Sequence, residues 1–312
     1  MVKRKATASS KPPPNPQMDI DGASSGSDDD DASLLNVDFE WFDPQPNVDF
    51  HGLKTLLRQL FDVDNQLFDL SALTELVLAQ PLLGSTVKCD GNESDPYAFL
   101  TVLNLRQHCN EPVIQQLTQY LVSKAAAAAT QVSMKHLEQL LARDSKAQVG
   151  LILTERFINM PHQTIPPMYN MLLEEISWAL ADKEPYAFTH YLVLSKTYTE
   201  VASKLDSAMD VEPPQAKKSK KAAASASASA SAAATAAASE HFYFHPEDEV
   251  LHRHALAQCS FDYSRQEDEG ASDAKRAFQE MGVRPQGHLI LLEGSKFEGA
   301  VRAVKEYLGA ES

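Results

Sequence analysis

Glu155 and Arg156 follow six uncharged residues in the run VGLILTERFI, Val149 to Ile158, and they are the first place to look for chemistry. A carboxylate and a guanidinium so placed could act as a catalytic acid with its partner, or as a recognition pair. Adjacent side chains of a strand leave on opposite faces. The two therefore do not readily serve one site, and pairing with neighbouring elements is the favoured reading. Four histidines, His241, His245, His252 and His254, raise the question of a metal. His252 and His254 would share the polar face of a strand, and ligands at that spacing can meet one ion. No cysteine or aspartate completes a recognisable set, so solvated histidines are expected instead, with no metal and no cofactor. Ser195 stands in LVLSKTY rather than in a GxSxG elbow. Neither a Walker loop nor a dinucleotide-binding glycine fingerprint occurs.

The elements that must position these residues are legible from periodicity. Val37, Phe39 and Trp41 alternate with acids, which predicts a strand with one buried face, ended by Pro44 and Pro46. Phe50, Leu53, Leu56, Leu57, Leu60 and Phe61 fall at helical spacing. A second helix is predicted from Leu70 to Ala79. Strands follow at 84–89 and 97–105, then helix in two pieces from Glu111 to Leu141. The continuous apolar half of Val149–Ile158 predicts a strand covered on both faces. A helix over Ile165–Leu180, with Pro166 and Pro167 in its first turn, and a long strand over Tyr186–Val201 complete a βαβ-like unit. Ala255–Tyr263 and His288–Leu292 read as further strands, and Phe297, Ala300, Val301, Val304, Tyr307 and Leu308 form the stripe of a closing helix. The fold class is α/β, with a mixed sheet.

The chain has 312 residues, 43 acidic against 28 basic, for a net charge of -15. That excess disfavours general nucleic-acid binding, which needs basic surface, and favours basic partners. Cys89, Cys109 and Cys259 are odd in number and widely spaced, as expected of reduced thiols. No apolar run is long enough to span a bilayer, and the start MVKRKATASS lacks the apolar core of a secretory signal. Residues 1–35, with the run Asp28–Asp31, read as a disordered tail. Residues 203–240, inserted within the ordered part at 36–309, read as a low-complexity linker of alanine and serine. Two accessible basic runs, Lys3-Arg4-Lys5 and Lys217, Lys218, Lys220 and Lys221, are candidate nuclear-import signals. The acidic runs Glu247-Asp248-Glu249 and Glu267-Asp268-Glu269 are candidate contacts for a basic partner.

Three stretches in order carry a family resemblance. VDFEWFDPQPNVDFHGLKTLLRQLF, with the helix Gly52 to Phe61, is similar to the opening of the BCCIP family. VGLILTERFIN, Val149–Asn159, followed by Ile165-Pro166-Pro167-Met168-Tyr169, resembles that family's central motif. YLVLSKTY at 191–198, a basic linker and FYF at 242–244 continue the order. The alanine stretches at 125–129 and 222–239 depart from the pattern as local expansions. The resemblance implies one α/β domain related to GNAT-type acetyltransferases and residence in the nucleus with shuttling to the cytoplasm. It also implies a role as chaperone and carrier of a basic large-subunit ribosomal protein, of the universal L fourteen type, in nuclear export and ribosome biogenesis. Implied partners further include import and export receptors, cell-cycle and DNA-repair proteins, and a lipid kinase as export cargo.

A GNAT-like fold raises the alternative of an unorthodox acetyltransferase. Acetyl-CoA pyrophosphate needs backbone amides at a helix start after a glycine-bearing loop. The comparable stretch here, Asn159-Met160-Pro161-His162-Gln163, has no glycine, and Pro161 has no N–H to offer. Expected, then, is a non-catalytic binding protein, with a scaffold for nuclear cell-cycle and repair proteins as the second reading. Glu155, Arg156, Glu247, Asp248 and Glu249 are the candidate partner-binding residues.

Overall fold

Helix α1, Pro46–Phe61, shows how local sequence sets up the fold. Pro46 occupies its first turn, where a missing N–H costs nothing. Asp49 accepts a hydrogen bond from the Gln45 backbone N–H at 2.7 Å, closing that turn on itself. Leu53, Leu56, Leu57, Leu60 and Phe61 lie on one stripe and are fully buried. Each contributes about 1.5–3 kcal/mol of apolar transfer. Asp69 then caps α2, Leu70–Leu78, accepting from the N–H groups of Ser71 and Ala72.

The computed structural model describes residues 37–80, 82–128, 134, 136–200, 241–265 and 283–309. The expectations for residues 1–35, for the basic runs at 3–5 and 217–221, for the linker at 203–240 and for the acidic run at 267–269 lie outside these residues. Strands β1 (Glu40–Phe42), β2 (Ser85–Lys88), β3 (Ala98–Asn104), β4 (Val149–Arg156), β5 (His190–Glu200), β6 (His241–Tyr243), β7 (Ala257–Phe261) and β8 (Val283–Glu293) form one mixed sheet. Its order is β1-β2-β3-β4-β5-β8-β7, with β6 also on β5. Only β4 and β5 pair in parallel among these strands. Helix α5, Ile165–Ala181, joins them, so the expected βαβ unit is present.

Helices cover both faces. Against one lie α1, α2, α3 (Pro112–Ala127) and α4 (His136–Leu141), packed on Leu151, Leu153, Leu192 and Leu194. Against the other lie α5, α6 (Pro246–Arg253) and α7 (Gly294–Gly309), packed on Ile152, Val193, Ile290 and Leu292. The alternation along β4 and β5 explains why their sequences are apolar without a break.

Several expectations are corrected. The first strand is Glu40–Phe42 rather than one starting at Val37, which is exposed. The last strand starts at Val283, not His288, because Arg284, Pro285, Gln286 and Gly287 continue the ladder along the end of β5. His252 and His254 share no strand face: His252 is in α6 and His254 is its C-terminal cap. Pro246 starts that helix and the buried pair Val250–Leu251 holds it to the core.

Candidate functional site

The central feature of the sheet is a fork. β4 and β5 pair in register from Val149↔His190 to Leu153↔Leu194, and there the pairing stops. β5 continues to Glu200 beside β8. On the edge that β4 has left, β6 takes over at Thr197↔Tyr243. Thr154, Glu155 and Arg156 keep their partners on β3 but have none on β5. The end of β4, the end of α1 and the loop from β6 into α6 enclose a cavity of about 1030 Å³ at the fork.

Buried charge holds the fork together. Glu155, 1% exposed, lies 2.5 Å from Lys196 Nζ on β5 and 3.2 Å from His245 Nε2. Its Oε1 also accepts from the Arg156 backbone N–H at 3.0 Å. Lys196 in turn donates to the Gln59 carbonyl at 3.2 Å, and the Gln59 amide donates to the Arg156 carbonyl at 2.8 Å, so the last turn of α1 is tied to both strands. Arg156 forms a two-pronged ion pair with Glu247, one prong at 3.0 Å. Asp248 accepts a hydrogen bond from the Ser195 hydroxyl. Glu155 and Arg156 do leave on opposite faces, as strand geometry requires. They meet in one network because His245 and Glu247, two residues apart at the start of α6, reach one each.

The energetics follow from enclosure. Burial alone would push the Glu155 carboxyl up, but the Lys196 ammonium and the His245 imidazole outweigh it and hold it at about 2. Burial would lower His245; the hydrogen bond to Glu155, with the charges of Glu155 and Glu247, raises it instead. Glu247 is held below the usual carboxylate range because Arg156 outweighs its desolvation. For Asp248 desolvation wins, aided by the neighbouring Glu247, and its carboxyl is pushed up to about 7.

The acidic run 247–249 is therefore not the surface patch that its composition suggests. Glu247 and Asp248 are buried, and only Glu249 reaches solvent, where it pairs with Arg253 one turn on at 2.5 Å. Acids here make sense as the first turn of a helix, where they complement its dipole. Glu155 and Arg156 are likewise consumed by internal partners and offer no free charge for docking. Sequence reading missed Lys196, Ser195 and Gln59 as members of this network. The signal that could have found Lys196 is a lone cation in an apolar strand, which must meet a buried carboxylate. Among the described residues, no three histidine, cysteine or carboxylate side chains are grouped to hold an ion. No helix among them is long and apolar enough to cross a membrane.

A third buried pair fastens the far edge. Lys88 and Asp49, both with inaccessible side chains, lie 2.6 Å apart, and Lys88 also donates to the Asn92 carbonyl at 2.6 Å. Asp64 plays a similar part under α3: it accepts from the Tyr120 hydroxyl and from the N–H groups of Ser264 and Arg265.

These features define an acidic α/β protein whose forked sheet is locked by internal ion pairs. The BCCIP family model matches residues 34–251, and the chain belongs to that family. It is 58% identical over 275 residues to Protein bcp1 of Aspergillus fumigatus, covering 88% of each chain. To Protein bcp1 of Schizosaccharomyces pombe it is 48% identical over 282 residues, 90% of this chain and 93% of that one. The crystal structure of BCP1 from Saccharomyces cerevisiae superposes with a TM-score of 0.56 over 90% of this chain and 91% of that one, at 24% identity, and so shares the fold.

Proposed function

We propose that this protein is a non-catalytic nuclear carrier that binds a basic large-subunit ribosomal protein, keeps it soluble off the ribosome and takes part in its export and assembly. The observation that carries this reading is where the charge lies. The three buried pairs, Lys88–Asp49, Arg156–Glu247 and Lys196–Glu155, are each neutral. The whole surplus of -15 therefore falls on the remainder of the chain. Such a surplus attracts a polycation over a Debye length of about 8 Å at physiological ionic strength and steers its approach. The buried acids and bases of the fork support the same reading. Glu155 and Arg156 are each engaged by structural partners rather than held ready for a substrate.

Affinity purification from nuclear extract at 100 and 400 mM salt tests it. A basic ribosomal protein recovered in stoichiometric amount at low salt, with slower association at high salt, is expected. Recovery of folded cell-cycle or repair proteins without a ribosomal client would favour the scaffold reading instead.

A further inference from the structure

Trp178 departs from the pattern of its helix. The buried stripe of α5 runs through Met168, Tyr169, Leu172, Glu175, Ile176 and Ala179, and anchors the helix without it. Trp178 stands outside that stripe and is 53% exposed. Its indole makes no hydrogen bond, ring contact or cation–π contact with any described residue. Tryptophan is among the side chains that contribute most when a partner covers them. The loop before β2 lies against the same part of α5, because the Gly84 N–H donates to Glu175 at 2.9 Å. Two residues back in that loop, Leu82 is 40% exposed.

The charge around Trp178 supplies the second observation. Glu174 and Glu175 precede it by four and three residues, so both share its side of the helix. Asp43, just past the end of β1, acts on Glu175 from across the gap, and burial together with the charges of Asp43 and Glu174 raises the Glu175 carboxyl. Unlike the acids of the fork, none of these three carboxylates makes an ion pair with any described residue. Asp38 and Glu40, both exposed, continue the same sign along β1, the edge strand of the sheet. The cations closest to them do not compensate. Lys88, opposite Glu40 in the ladder, is spent on Asp49, and Lys183, beyond the end of α5, pairs with none of them.

We propose that the corner between β1 and the outer side of α5 holds the basic client, an arginine or lysine of which stacks on the Trp178 indole between Asp43 and Glu174 while an aliphatic neighbour covers Leu82. Charge complementarity selects this occupant: the corner offers carboxylates without cations, and an aromatic face attracts a cation lying within about 6 Å of its centre. An acidic partner would meet repulsion here. The proposal rests on the carrier reading and deepens it. The overall surplus of negative charge steers a polycation from a distance, whereas an exposed tryptophan flanked by acids fixes where it settles.

Fluorescence anisotropy on the full chain tests this, with a fluorescein-labelled decapeptide alternating arginine and leucine as the probe and its glutamine counterpart as the control. The arginine peptide is expected to saturate in the micromolar range, with at least tenfold weaker binding for the glutamine form. Trp178→Ala and the double variant Asp43→Lys, Glu174→Lys, all at exposed positions, should each weaken it at least fivefold while leaving the melting temperature unchanged. Glu298→Lys with Glu306→Lys makes the same change of charge on the exposed side of α7 and should alter binding less than twofold. The idea is overturned if the two peptides bind alike, if the corner variants bind as the parent does, or if the α7 variant loses as much as the corner pair. Co-expression with the ribosomal client separates this idea from the carrier reading. The Asp43→Lys, Glu174→Lys variant should leave more client insoluble than the parent does. A client kept soluble equally by both overturns this proposal alone; a client left insoluble even by the parent overturns the carrier reading and this one together.

Discussion

Replacing Arg156 by methionine while Glu247 remains strands a carboxylate in an interior site. Glu247 is 0% and Arg156 7% exposed, and no other arginine or lysine among the described residues pairs with Glu247. Breaking a buried pair by removing one partner costs about 3–5 kcal/mol. At roughly 2–4 °C per kcal/mol for a chain of this size, the melting temperature should fall by about 10 °C. The double variant Arg156→Met, Glu247→Met removes both charges together. It should recover to within about 1 kcal/mol of the parent, since apolar replacement of a whole buried pair is often neutral or better. Urea unfolding followed by circular dichroism gives all four corners of the cycle, and an unchanged slope keeps the comparison valid. The reasoning fails if the single variant lies within 1 kcal/mol of the parent, or if the double variant loses the sum of the two single losses.

The fork should contribute more stability near pH 6 than near pH 8.5, against the opposite effect of His108 and His190, whose imidazoles burial lowers. His245 and Asp248 both bind protons more tightly folded than unfolded, so their contributions are complete below their unfolded values and are lost as pH rises through the folded ones, about 7 for Asp248. Glu155 has the opposite sign: its contribution is present above the ordinary carboxylate value and disappears only as pH falls toward about 2. A melting temperature that climbs steadily from pH 6 to 8.5 would contradict this. Gly294→Ala should destabilise by about 1–3 kcal/mol, because the new Cβ would sit 2.4 Å from the Phe188 carbonyl oxygen. Gly299→Ala, in open space on the same helix, should instead gain about 0.5–1 kcal/mol, and thermal melts of the pair check both signs. Deleting 217–221 together with 3–5 should move a fluorescent fusion toward the cytoplasm; an unchanged nuclear signal would mean that import depends on another sequence or on a partner.

The sequence made the layers legible and the fork illegible, for a physical reason. Leu53 through Phe61, Val149 through Leu153 and the stripe from Phe297 to Leu308 follow the periods of their elements, and apolar burial at those positions decides the architecture. The fork depends on where a parallel pairing ends; both strands turn polar there, β4 at Thr154-Glu155-Arg156 and β5 at Ser195-Lys196-Thr197, but polar residues in a strand do not say which neighbouring strand is lost. The acidic run 247–249 misled because charge in a sequence does not say whether a partner waits behind it. Arg156 lies 91 residues before Glu247, and only the fold brings them together. The histidines were misplaced by carrying the face of the strand expected at Ala255–Tyr263 back over His252 and His254; Pro246 already marked a helix start. The family resemblance, by contrast, rested on Gly52–Phe61 and Val149–Asn159, segments whose packing at the end of α1 and along β4 builds the fork itself.

Co-expression with the basic ribosomal protein, followed by size-exclusion chromatography of the soluble fraction, tests the central claim most directly. The account predicts that the client precipitates when expressed alone and elutes as a soluble one-to-one complex when this chain is present, with the complex weakened as salt rises. If the client precipitates to the same extent with and without this chain, the carrier account is wrong.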